Sequence, residues 1–166
     1  METNQQLTQQ KKSGPREVFL HLLAIVSLYA SAGSFTSLLY QYINIWIPDT
    51  LDRTNYYTMQ SAYSGIRWSI AILIVVFPVY LFTTRYLGRL YSQSSEIRAS
   101  RIRKWLVYLT LFVAALVIIG DLVTLVFRLL GGEYTTRFLL KVVVVFFVSG
   151  SIFYYYFNDL KRTKVE

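Results

Sequence analysis

Trp105-Leu106-Val107-Tyr108-Leu109-Thr110-Leu111-Phe112-Val113-Ala114-Ala115-Leu116-Val117-Ile118-Ile119-Gly120-Asp121-Leu122-Val123-Thr124-Leu125-Val126-Phe127-Arg128-Leu129-Leu130 is an apolar run broken by one acid in its interior and one base near its end. A bilayer hydrocarbon core needs roughly 20 apolar residues per helical span, and this run is long enough. A lone carboxylate at that depth is costly in lipid, so another part of the chain must answer it.

Working outward, three further runs have the same length and character: 18–47, 65–87 and 135–157. The chain is 54% hydrophobic and 17% aromatic over 166 residues, and this apolar content is gathered into runs rather than spread over amphipathic elements. Lipid is therefore the solvent the sequence is written for. The linkers are short, which predicts one all-α domain over 15–160: a four-transmembrane-helix bundle running up-down-up-down. A polar tail at 1–14 with almost nothing to bury is expected to be disordered, and a short basic tail at 161–166 follows the last span.

The net charge of +8 invites a nucleic-acid reading, but the positions of the charges argue against it. Lys11, Lys12 and Arg16 precede the first span. Arg85, Arg89, Arg98, Arg101, Arg103 and Lys104 lie between the second and third, and Lys161, Arg162 and Lys164 follow the last. The other two loops and their span ends hold Arg53, Arg67, Arg128 and Arg137. By the positive-inside rule both termini and the middle loop of this multi-pass protein are cytoplasmic. Arg98, Arg101, Arg103 and Lys104 become candidate contacts for anionic lipid head groups. A docking site for a cytosolic protein is the alternative use of that basic stub. Ala30-Ser31-Ala32 resembles a signal-peptide cleavage site, but apolar character continues to Trp46, so an uncleaved first span is expected.

Local signals refine the spans. Ser27, Ala30, Ser31, Ser34 and Ser37 recur at intervals of three and four, a small-residue face on which helix backbones approach closely. Tyr40, Gln41 and Asn44 on the same helix are awkward against lipid and are expected to face the bundle. Residues 50–64 are expected to form an external loop. Pro78 inside the second span removes one backbone hydrogen bond and predicts a kink. Ser94-Ser95-Glu96 reads as a helix start, placing the third helix's beginning below the membrane. Gly131-Gly132-Glu133 reads as a tight turn, and Tyr154-Tyr155-Tyr156 as an interfacial aromatic girdle.

The Gly131-Gly132 turn fixes the relative depth of the last two spans. Asp121 lies ten residues before Gly131 and Lys141 nine after Gly132, each roughly 15 Å from the turn by helical rise. Opposite charges at matched depth on adjacent antiparallel helices are the natural pair. Thr124 shares the face of Asp121 and is expected to donate to it. Gln41, Asn44, Arg67, Arg128 and Arg137 fall in the same outer half, so a polar network or pocket for an ion, proton or small ligand is predicted there. The bland counterpart is a buried salt bridge that sets helix register and transports nothing. Both remain open at this level.

Other chemistries lack their residues. The chain has no cysteine, which excludes disulfides and thiolate-bound metals or clusters. It has one histidine, His21, which cannot make a bis-histidine haem site and reads as an interface residue. No phosphate loop and no Gly-x-Ser-x-Gly nucleophile elbow occur. Arg137 and Lys141 are too few for a voltage sensor, and Asp121 has no second ligand for a metal. No cofactor and no enzymatic constellation are expected. A membrane enzyme using Asp121 as a base is the weakest of three readings.

Three stretches carry a resemblance: Pro15-Arg16-Glu17-Val18-Phe19-Leu20-His21-Leu22-Leu23, the long run from Ser100-Arg101-Ile102 through Gly120-Asp121-Leu122-Val123-Thr124, and Arg137-Phe138-Leu139-Leu140-Lys141. They resemble the bacterial membrane family known as domain of unknown function 5671. The resemblance covers most of the chain after Pro15 and implies a four-span membrane domain with no assigned activity. The expectation is therefore a structural or accessory component of a membrane complex, alone or as a homo-oligomer. A small oligomeric channel or transporter using the outer-half pocket is the alternative.

Overall fold

The computed structural model describes residues 15–47, 56–93, 101–132 and 135–164. All of the regular structure among them is helical: α1 Pro15–Trp46, α2 Tyr56–Gln93, α3 Arg101–Leu130 and α4 Thr136–Lys164. Each contains a span long and apolar enough to cross a membrane. A helix satisfies its own backbone within one segment, which is why runs of Val, Ile and Phe with modest helical propensity in water adopt it here.

Boundaries follow local chemistry. Pro15 opens α1, where its missing N–H costs nothing. At the other end the Ile47 amide still donates to Ile43 at 3.0 Å, and Pro48 has no N–H to continue the ladder. The turn between α3 and α4 forms as read from its glycines. Gly131 and Gly132 donate to the Phe127 and Leu129 carbonyls at 3.1 and 3.2 Å, and Gly132 adopts φ 75°. That left-handed conformation carries no Cβ penalty for glycine.

One boundary differs from expectation. Residues 56–64, read as loop, form the first turns of α2, which is 38 residues long. The segment holds neither glycine nor proline, so its polar and aromatic residues do not prevent helix. Pro78 lies inside this continuous helix. The helix start read at Ser94-Ser95-Glu96 and the tail at 1–14 lie outside the described residues.

The helices alternate in direction. Arg16 at the start of α1 meets Tyr86 near the end of α2, donating to its hydroxyl with its guanidinium 5.7 Å from the ring centre. α1 is the central element and packs against each of the others, whereas α2 packs chiefly against α1. The small-residue face read from the sequence is the packing face: Ala24, Ser27, Ser31 and Ser34 are buried on α1, and Ala62 and Ser69 on α2. On α3 the buried positions are Leu106, Val107, Thr110 and Ala114, and Asp121 continues that face two turns on. Val142 and Ser149 mark the inward face of α4.

Polarity is inverted relative to a water-soluble bundle. Among the described residues the buried positions include as many serines and threonines as apolar side chains, while Phe112, Phe127, Phe82, Phe147 and Trp68 lie exposed on the outside. Lipid rewards that arrangement, because it is as apolar as leucine and gives little reason to hide leucine from it. Several interior hydroxyls are satisfied locally: Ser27, Thr83 and Thr110 donate to carbonyls of their own helix at 2.6, 2.8 and 2.9 Å.

Candidate functional site

Two polar clusters interrupt the apolar body, both organised on α1. The first lies toward the α3–α4 turn. Arg137 of α4 reaches across to the last turns of α1, donating from Nε to the Asn44 side-chain carbonyl at 3.1 Å and from Nη2 to the Asn44 backbone carbonyl at 3.3 Å. The guanidinium thus supplies a partner to a carbonyl near the helix end, where intrahelical partners run out. Asn44 in turn donates to Gln41 at 3.3 Å. Gln41 lies against Gly65 of α2 so closely that a Cβ there would stand 2.8 Å from its Nε2. Hydrogen bonds therefore tie α4 to α1, and Gln41 packs the end of that chain against α2.

One turn deeper on both helices, Tyr40 of α1 stands opposite Lys141 of α4, whose ammonium is 5.4 Å from the ring centre. Asp121 of α3 lies within electrostatic reach of the same tyrosine. Lys141 thus has the Tyr40 ring beside it, joining α4 to α1 one turn below Arg137 and Asn44. Asp121 Oδ2 is buried without a hydrogen-bond partner in the protein. An oxygen in that position retains full capacity to accept a proton or a donor.

Of the residues predicted for this network, the structure joins Gln41, Asn44 and Arg137 by hydrogen bonds and sets Lys141 beside Tyr40. Two others stand apart. The Thr124 hydroxyl is exposed and donates to the Gly120 carbonyl at 2.8 Å rather than to Asp121. A threonine one turn along can satisfy itself on its own helix, and the backbone oxygen is nearer. Arg67 is exposed near the start of the α2 span, where a long side chain keeps its charge out of the packed interior. The Arg128 side chain is outside the description. Of the head-group candidates, Lys104 is exposed, the side chains of Arg101 and Arg103 are not described, and Arg98 lies outside the described residues.

The second cluster lies toward the start of α1, and sequence reasoning missed it. Of the three consecutive tyrosines on α4, Tyr154 and Tyr155 face outward as a girdle should. Tyr156 turns inward, edge-on to Tyr155 with ring centres 5.3 Å apart. Its hydroxyl lies near those of Tyr80 and Tyr29, and Tyr80 is also beside Thr84. The Tyr29 Oη atom is buried without a hydrogen-bond partner. The available signal was spacing: Lys141, Ser149 and Tyr156 recur at about two turns and share one face, as Tyr29 and Tyr40 do at three.

Among the described residues no group of acids or histidines could hold a metal ion. Four membrane-length helices packed around a hydroxyl-rich interior, with the ammonium of Lys141 beside the half-buried Tyr40, define a helical protein built for the bilayer. The particular family is shown by its profile: the chain matches Domain of unknown function (DUF5671) over residues 17–156 and belongs to it. No match is found among curated proteins or solved structures.

Proposed function

We propose that the protein is an accessory or scaffold component of a larger assembly in a bacterial inner membrane, not an enzyme, with both termini and the middle loop on the cytoplasmic side. The observation that carries this reading is the position of α2. It rests chiefly on α1 and leaves Trp68, Ile74, Val75 and Phe82 exposed along its length. Such a helix is free to pack against a second membrane protein or a second copy of the chain, while basic residues such as Lys104 meet anionic lipid head groups. A photo-crosslinking side chain at Ile74 or Phe82, activated in native membranes, should then yield discrete protein adducts. Adducts to lipid alone overturn the reading.

Within this role Asp121 and Lys141 act as one charge pair through Tyr40 and lock the register of α3 and α4 against α1. Thermal unfolding of Asp121→Asn, Lys141→Gln and the double variant measures the coupling, and additive losses rule it out.

A second reading is favoured by one specific observation. A carboxylate oxygen buried without a partner suits a site that binds and releases something better than a closed salt bridge does. On that reading the protein, as a small oligomer, passes an ion or proton through the Asp121 cluster.

A further inference from the structure

We infer that Arg16, Tyr86 and Arg89 form a binding site for the phosphate of an anionic phospholipid, at the end of the protein where α1 begins and α2 finishes. Such a site goes beyond the accessory role and is independent of any protein packed on α2.

Arg16 is held in place across the boundary between the two helices. Its Nη2 donates to the Tyr86 hydroxyl, and its guanidinium lies 5.7 Å from the centre of the same ring. An exposed arginine near a helix end ordinarily keeps its rotamer freedom and reaches out to water or head groups. Here one phenol supports it through both hydroxyl and ring. The hydroxyl engages one of the five N–H donors of the guanidinium. A planar fork fixed in this way suits phosphate, which it grips through two parallel hydrogen bonds. Arg89 is also exposed and stands three residues beyond Tyr86, a neighbouring position on the surface of α2.

Depth assigns the phosphate to a lipid. The α1 span starts at Val18 and the α2 span ends at Leu90, so Arg16 lies two residues outside one and Arg89 one residue inside the other. At about 1.5 Å per residue, both stand within roughly 3 Å of a span end, next to the head-group layer. Deeper in the membrane the same sides of the two helices are apolar and exposed. Phe19 lies three residues after Arg16 with Val26 two turns further on, and Val79 lies two turns before Tyr86. A basic rim above an apolar strip fits a molecule with an anion at one end and acyl chains at the other.

Charge narrows the class of head group. Phosphocholine carries a cation of its own, which the two guanidiniums repel, whereas phosphatidylglycerol presents its phosphate alone.

The test follows thermal unfolding of the full purified chain in neutral detergent as lipid is added. Phosphatidylglycerol is expected to raise the midpoint by several degrees more than phosphatidylcholine with the same acyl chains, and the rise should saturate. Arg16→Ala together with Arg89→Ala removes that difference. Tyr86→Phe keeps the ring but loses the acceptor, and weakens the apparent lipid affinity about threefold. Arg67→Ala, toward the opposite end of α2, leaves it unchanged. Unfolding without lipid checks that each variant folds. Glycerol phosphate, which has no acyl chains, is expected to do nothing, and a rise equal to the lipid's overturns the lipid assignment in favour of a soluble phosphate. A preference that survives the double substitution, or that Lys161→Ala reduces as strongly, is diffuse attraction and overturns the site. Equal effects of the two lipids overturn it as well. None of these outcomes bears on the crosslinking test of α2.

Discussion

The two ends of the α1–α4 seam are built from different chemistry. Near the α3–α4 turn the contacts each involve a cation, with Arg137 on Asn44 and Lys141 beside Tyr40. Near the start of α1 the seam is made of phenols, with Tyr29, Tyr80 and Tyr156 gathered from three helices. A charge inside an apolar run announces itself, because lipid will not hold it unanswered. A tyrosine announces nothing, since its ring suits both the interface and the interior.

The comparison breaks most readily at the charged end. Arg137→Ala removes both bonds to Asn44 and should lower unfolding stability in detergent by about 1–2 kcal/mol, the upper range for interhelical polar contacts in membranes. A loss no larger than that of Arg67→Ala, an exposed control, would show that the clamp is decorative. Tyr40→Leu, which removes the ring under Lys141, should cost about 1 kcal/mol, while Tyr40→Phe keeps the ring and most of the stability. Equal losses in the two variants would place the effect in the hydroxyl instead.

At the phenol end smaller effects are expected. Tyr156→Phe should cost about 0.6 kcal/mol, near the average for a buried polar contact between membrane helices, and Tyr154→Phe nothing measurable. Matching behaviour of the two would return Tyr156 to the girdle. A small effect is expected back at the charged end: Gly65→Ala meets the far end of the flexible Gln41 side chain, which can swing aside, so a change of about 0.5 kcal/mol is expected. A much larger loss would mean that Gln41 is held rigidly by Asn44.

Much of the fold was legible. The hydropathy runs locate all four helices, the glycine turn fixes the depth of Asp121 against Lys141, and the serine spacing on α1 identifies its packing face. Residues 56–64 were misread because polar and aromatic composition says little about backbone state when no breaker is present. Thr124 was assigned to Asp121 from helical spacing alone. Spacing shows which residues share a face, but not whether a hydroxyl turns to a neighbour or back to its own helix.

Taken alone, the sequence determined the solvent, the number of spans, their alternation and the depth of each charge, because these follow from hydropathy, helical rise and a turn. The tertiary structure decided which residue answers which: that Lys141 finds Tyr40, that Arg137 finds Asn44, that α2 leans on α1, and that of three adjacent tyrosines Tyr156 alone turns inward. Those choices depend on how each helix is rotated about its axis. Lipid, indifferent to which apolar side chain it touches, leaves that rotation to packing between the helices.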